Sequence, residues 1–322
     1  MKTGYVAAGA MPWKLMKKAE TVIQDGKIIP YHIQLIPTNH CNSNCPWCSC
    51  KGVDRTLELS IDEIVPILKY FKNLGSEAIT ITGGGEPTIH PNIEDIIKCC
   101  ANLDIEIGMV TNGIRLGDIK TTKSFGEVFN KNLTWCRVSI NNTESPEYPF
   151  KRLVRIFDLL NRVDLGLSFT VTNRVSIELA KKLAIMVNAY KRVTHIRFVQ
   201  DILNANDKAC HDAMTRVQNI CSEYTDKGIY QFRDKPTWGS EKCLISKLKP
   251  VINCDGYIYP CCGAQYATKE KSVMPKSMRM CKWSSFHNVK AFKGQVCEVC
   301  YYDDYNRCLD HLVSSIEHER FL

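Results

Sequence analysis

Three cysteines stand within one short stretch, Cys41-Asn-Ser-Asn-Cys45-Pro-Trp-Cys48. Thiolates are soft ligands that suit zinc and iron–sulfur clusters. A loop this short can wrap one face of a cubane cluster, but it does not easily supply a fourth thiolate. Iron–sulfur clusters are ordinarily held by four cysteines. Three leave one iron open, and an open coordination position separates a reactive metal site from a structural one. The competing reading is a zinc knuckle, which closes with four ligands and would take Cys50 as the fourth. A second stretch is Gly83-Gly84-Gly85-Glu86-Pro87. Glycines let the backbone turn sharply and approach a ligand closely; an ordinary glycine turn is the plainer reading.

Both stretches follow apolar, β-rich runs. Residues 31–37 read as a strand ending in the cysteine loop, and 78–82 as a strand ending in the glycine run. Between them, residues 60–74 read as a helix, with Ser60 and Glu63 as a capping box and an apolar stripe of Ile61, Ile64, Val65, Leu68 and Phe71. Gly75 ends it. The alternation continues with strands at 105–110, 133–140, 165–171 and 195–199, and helices at 93–101, 123–130, 150–161 and 176–190. Six strand–helix repeats with short connections imply parallel strands and right-handed crossovers. The expected fold is α/β, a partial (β/α)6 TIM-like barrel over residues 28–203. In such barrels the chemistry sits at the C-terminal strand ends. The cysteine loop, the glycine run, Thr111-Asn-Gly113 and Asn141-Asn142 all fall at that edge. Asn112, Ser139, Asn141, Thr170 and Gln200 are polar candidates there; solvated loop starts are the plainer reading.

The spacing Cys-x3-Cys-x2-Cys with an aromatic before the last cysteine, together with Gly-Gly-Glu-Pro after the second strand, resembles the radical S-adenosylmethionine (radical SAM) superfamily. The resemblance implies a [4Fe-4S] cluster on Cys41, Cys45 and Cys48, whose open iron binds the amino and carboxylate groups of S-adenosyl-L-methionine. It implies that Trp47 packs beside the adenine and that Gly84, Gly85 and Glu86 hold the amino group. Ser139, Asn141 and Thr170, at the ends of the fourth and fifth strands, would contact the ribose and carboxylate. Reductive cleavage would give methionine and a 5′-deoxyadenosyl radical that abstracts hydrogen from an organic substrate. The electron would come from a flavodoxin- or ferredoxin-like reducing partner.

The pattern changes after Asp201. Residues 204–240 are expected to be a helical linker. Residues 241–322 are rich in cysteine and basic residues. Cys243, Gly256, Cys261 and the pair Cys297-x2-Cys300 resemble the auxiliary-cluster domain called twitch, a shortened SPASM domain. That likeness implies one auxiliary [4Fe-4S] cluster on Cys243, Cys261, Cys297 and Cys300, with Cys254, Cys262, Cys281 and Cys308 as spares; a zinc ribbon uses the same ligand count. Cys99, Cys100, Cys136, Cys210 and Cys221 read as small buried hydrophobes. His32, His40, His90 and His195 have no ligand-like spacing.

The chain has 322 residues, 17 of them cysteine, and a formal charge of +8. No stretch approaches the roughly 18 apolar residues that span a membrane. Residues 1–27 form a short extension without a signal-peptide pattern. Cysteines in that context read as reduced thiols, some metal-bound, in the cytoplasm. The positive balance and the basic segment Lys269 to Lys282, next to Trp283, make a nucleotide or nucleic-acid base the first substrate reading; a solvated loop is the plainer one. The alternatives are a sugar- or amino-acid-like small molecule, a peptide, and a non-enzymatic zinc module that binds nucleic acid. The peptide reading is disfavoured because 27 residues are too few for a leader-binding domain.

Overall fold

The computed structural model describes residues 11–140, 148–233 and 236–314. Six strands run in chain order and in parallel: β1 (His32–Leu35), β2 (Ala78–Ile81), β3 (Glu106–Thr111), β4 (Leu133–Ile140), β5 (Asp164–Val171) and β6 (Val193–Gln200). Helices α2 (Ile61–Asn73), α3 (Ile93–Asn102), α4 (Lys123–Asn132), α5 (Tyr148–Leu159) and α6 (Ile177–Ala189) cross between them, after an N-terminal α1 (Met11–Val22). This is the α/β parallel sheet of a partial barrel, as the alternation predicts. Ser60 caps α2 in a reciprocal capping box with Glu63, and Ser176 caps α6.

Each strand has two faces because side chains alternate. On β4, Cys136, Val138 and Ile140 are buried, whereas Trp135, Arg137 and Ser139 are half-buried. The buried face packs on the helices: a Cβ on Gly113 would meet both Val138 and Ile156 of α5 at under 3 Å. Arg137 and Ser139 therefore line the inner face. On β5 Gly166 and Ser168 share their rows, as do His195 and Arg197 on β6. Trp135 fills the floor of this face, its ring where a Cβ on Gly108 would be.

Two edges differ from the expected outline. Within 204–240, only α7 (Lys208–Cys221) is a long helix, and Gly228–Gln231 joins the sheet as a parallel β7 beside β6. At the other edge, β8 (Val251–Ile252) pairs parallel to β1, and β9 (Tyr257–Tyr259) and β10 (Cys281–Lys282) follow antiparallel. These strands are two to four residues long and owe their place to a neighbouring edge rather than to a pattern of their own. A second small core, of Leu15, Val22, Ile28, Ile245, Leu248 and Leu309, joins α1 to α8 (Ile245–Leu248) and α9 (Asp303–Val313).

Candidate active site between two cysteine sets

The cysteine loop follows β1, at the C-terminal edge of the barrel. Cys41, Cys45 and Cys48 are half-buried. The Cys48 amide donates to the Cys45 carbonyl at 3.1 Å, and Ser43 Oγ lies 3.3 Å from Cys45 Sγ. The Cys50 amide donates to Cys48 Sγ at 3.4 Å. Cys50, the fourth ligand of the zinc alternative, is buried with its thiol toward the Gly83 carbonyl. Burial pushes that thiol up to about 12. Arg55 Nη1 donates to the carbonyls of Asn39 and Gly84, at 3.1 and 2.9 Å, and so ties the loop to the glycine run.

The glycines permit a close crossing of chains. A Cβ on Gly85 would lie 1.8 Å from the His40 carbonyl oxygen, and one on Gly84 would lie 2.1 Å from Asn39 Oδ1. That Asn39 oxygen is buried without a hydrogen-bond partner, so an unused acceptor stands beside the run. Glu86 is buried and accepts from Thr88 N, Thr88 Oγ1, Thr111 Oγ1 and Asn112 N. Three of these donors meet Oε1 and one meets Oε2, an arrangement the motif alone does not reveal.

Other expected residues fall at the same edge. Ser139 and Thr170 are half-buried on the inner face, and Trp47 is half-buried in the cysteine loop. Asn141 lies outside the described residues. Asn112 Nδ2 donates to Asn42 Oδ1 at 2.8 Å and so braces the cysteine loop. Gln200 faces away: it is fully buried, donating to the Ala205 carbonyl and accepting from the Arg233 amide, both at 2.9 Å.

Cys243, Cys261, Cys297 and Cys300 line one small cavity with Tyr266 and Tyr302. Its walls are close-fitting, since a Cβ on Gly239 would lie 2.0 Å from the Gly294 carbonyl oxygen. Backbone amides donate to two of the sulfurs, Gly263 to Cys261 at 3.3 Å and Tyr302 to Cys300 at 3.4 Å. Burial pushes Cys243 up to about 12 and Cys297 up to about 11, and neighbouring thiolates add to both. Burial and its cysteine neighbours raise Cys261 further. Buried thiols that oppose one another's ionisation become thiolates around cations, so the donor set fits a metal centre. Cys254, Cys262, Cys281 and Cys308 do not line the cavity; Cys262 Sγ instead lies 3.0 Å from Tyr302 Oη. Among the described residues no three His, Cys, Asp or Glu side chains converge tightly enough for a single metal ion. The ligands of a cubane stand further apart because each binds a different iron.

The two sets are joined by one segment. Gln265 Nε2 donates to Ser49 Oγ at 3.5 Å, and the Gly52 amide donates to the Ser272 carbonyl at 2.7 Å. The basic segment is partly committed within this region. Arg279 pairs with Asp255 at 2.9 Å, and Lys282 Nζ lies 3.9 Å from the Tyr257 ring centroid. The inner-face arginines, Arg137 and Arg197, escaped the sequence reading. Their signal was a single arginine in the middle of a largely apolar strand.

The family model described as the radical SAM superfamily matches residues 35–173, from the end of β1 past β5. Among solved structures, Streptococcus suis SuiB bound to S-adenosylmethionine is similar at 17% identity and a TM-score of 0.55, over 80% of this chain and 65% of SuiB. Native anSMEcpe with bound AdoMet and Kp18Cys peptide is similar at 15% identity and a TM-score of 0.54, over 79% of this chain and 77% of its own. The chain thus spans about 65% of the length of SuiB. At these identities the likeness is one of fold. The superfamily's cofactors are a [4Fe-4S] cluster and S-adenosylmethionine. On the matched domain and the three-cysteine loop at its barrel edge, residues 35–173 are similar to the radical SAM superfamily.

Proposed function

We propose that this enzyme abstracts hydrogen from an organic substrate held inside the barrel, between a cluster on Cys41, Cys45 and Cys48 and a single auxiliary [4Fe-4S] cluster on Cys243, Cys261, Cys297 and Cys300. The observation that carries the reading is the shared cavity of the last four thiols, at the far end of a segment that touches the cysteine loop. When bound, the first cluster and S-adenosylmethionine supply the radical chemistry. The protein positions and shields the substrate. Gly84 and Gly85 offer backbone to the amino group, Ser139 and Thr170 face the ribose and carboxylate, a role the family resemblance also gives Asn141, and Trp47 covers the adenine. Glu86 holds the loop's shape. A flavodoxin- or ferredoxin-like protein is the reductant. Residues 28–203 act as the radical-generating unit and 241–322 as the auxiliary-cluster unit. Among the described residues no helix is long and apolar enough to cross a membrane, and we place the enzyme in the cytoplasm.

Two substrate readings have specific support. A nucleotide or nucleic-acid base is supported by the positive balance, although Arg279 and Lys282 are already engaged. A peptide is supported by the fold likeness to SuiB, one structure of which is bound to precursor peptide SuiA, and to anSMEcpe with its peptide.

The test is a triple Cys41→Ala, Cys45→Ala, Cys48→Ala variant, purified without oxygen. It should retain about half the iron, on one cluster per four cysteines at the other set, and form no 5′-deoxyadenosine. Retained cleavage would refute the assignment. A colourless parent protein holding only zinc after reconstitution would refute the radical reading altogether.

A further inference from the structure

The inner face of the barrel carries charge that the chemistry above does not use. Arg137 on β4 and Arg197 on β6 are separated by β5 alone and by one inward row. Arg137 is level with Gly166 and His195, and Arg197 is level with Ser168 and Ser139. Arg233 follows β7 by two residues, with its guanidinium 4.6 Å from the Tyr301 ring centroid. The Nε of all three is buried without a hydrogen-bond partner. Among the described residues none of the three forms an ion pair with a carboxylate. The groups are close enough to repel: burial first, then Arg137 and Arg233, bring Arg197 down to about 9.

Cys262 lies near Lys249 and also near Arg137 and Arg197. Lys249 is buried beside Cys262 and Cys261, which act to raise it against the stronger effect of burial. With no carboxylate paired to them among the described residues, the three arginines leave charge to be matched by something else. An unpaired buried charge costs several kcal/mol per ion, and arginine does not escape by losing its proton. One carboxylate would bring one negative charge. A phosphate monoester brings about two, with three strong acceptor oxygens, and guanidinium forks bind it bidentately.

We propose that the substrate carries a phosphate group and that Arg137, Arg197 and Arg233 receive it inside the barrel. This rests on the reading of the barrel interior as the substrate site and names what that site selects. The anchor lies in the row of Ser139 and the row below it, so the rest of the molecule extends between the cysteine loop and the auxiliary cavity. Neutral His195, in the row of Arg137, contributes a polar ring without adding to the charge.

Calorimetric titration of inorganic phosphate into the anaerobic, iron-loaded full chain tests it. Saturable binding is expected, weakened at least about tenfold by R137Q and by R197Q, the loss typical of one charged hydrogen-bonding partner. K276Q, at an exposed lysine of the basic segment, should leave it unchanged. Iron content reports the integrity of each variant. If R197Q loses iron, R197K replaces it and should still weaken binding several-fold, because lysine keeps the charge without the fork. Absent binding, or binding indifferent to R137Q and to Arg197 replacement, would overturn the proposal. Tighter Arg197-dependent binding of succinate would overturn it in favour of a carboxylate substrate. An auxiliary-cluster potential shifted by R197Q with phosphate affinity untouched would overturn it by assigning the charge to the cluster. The titration reads binding and not cleavage, so its failure leaves the radical reading standing. A parent that binds phosphate but forms no 5′-deoxyadenosine would fail that reading and not this one.

Discussion

The Glu86 carboxylate accepts a 2.6 Å hydrogen bond from the backbone amide of Asn112. Asn112 in turn donates from its side chain to Asn42, inside the cysteine loop. One buried carboxylate thus ties the glycine run to the end of β3, and through it to the loop proposed to hold the first cluster. Thr88 and Thr111 donate to the other oxygen, Oε1. We assign Glu86 a positioning role.

Replacing Glu86 by glutamine should therefore damage stability and ligand binding together. The amide places a donor where the site already has donors, and an unsatisfied buried group costs about 1–3 kcal/mol. The chemical denaturation midpoint should fall, and S-adenosylmethionine affinity should fall with it because the loop loosens. A variant as stable as the parent with selectively weaker S-adenosylmethionine binding would instead make Glu86 a direct ligand contact.

Two glycines should respond differently to alanine. At Gly85 the added Cβ would lie 1.8 Å from the His40 carbonyl oxygen and 2.5 Å from the Asn39 carbonyl carbon. These are backbone atoms at the cysteine loop, so G85A should cost about 1–3 kcal/mol or more and abolish S-adenosylmethionine cleavage. At Gly256 the nearest atom is Lys282 Nζ at 3.6 Å, and the strain is conformational, with φ at +76°. G256A should cost about 1–2 kcal/mol and spare cleavage. Equal behaviour of the two variants in melting and product assays would contradict the crossing described here.

Legibility in the sequence followed the range of the interactions. The Ser60–Glu63 capping box is local and was read from four consecutive positions. The six parallel strands announced themselves through length and through the helices between them. Val251 and Ile252 have no such pattern, and their place comes from pairing with Gln34 and Leu35. Cys261 and Cys262 are adjacent in sequence, so spacing distinguishes them by one residue only. Packing sends Cys261 into the cavity and sets Cys262 against Tyr302. Arg137 and Arg197 were visible as residues, but their rows meet only once β4, β5 and β6 are in register.

That division of adjacent cysteines gives a third prediction. C297A/C300A should lose about half the iron, the share of one cluster in two, and C261A should lose the same share. C262A and C254A should keep the full amount, because neither thiol lines the cavity. Iron and sulfide analysis of the anaerobically purified variants decides it. Full iron in C261A with loss in C262A would mean that the neighbouring thiol is the ligand.

His195 sets a pH limit on the folded barrel. Thr194 Oγ1 donates to the Leu165 carbonyl at 3.0 Å, so it accepts from His195 Nδ1, 2.9 Å away. The ring is the neutral Nδ1–H form. Burial, then Arg137 and Arg197, bring its pKa down to about 4, against about 6.5 in the unfolded chain. Between these values the unfolded state binds the extra proton. Stability is therefore complete above the unfolded value and falls as pH drops toward 4. His32, buried beside Lys249 and Lys14, acts in the same direction. Going from about pH 7 to about pH 5 should cost the parent up to about 2 kcal/mol through His195, by proton linkage. H195Q has no such proton to bind, so its urea midpoint should fall less over that interval. A parent and variant with parallel pH profiles would show that His195 is not held neutral by its burial and the arginines beside it.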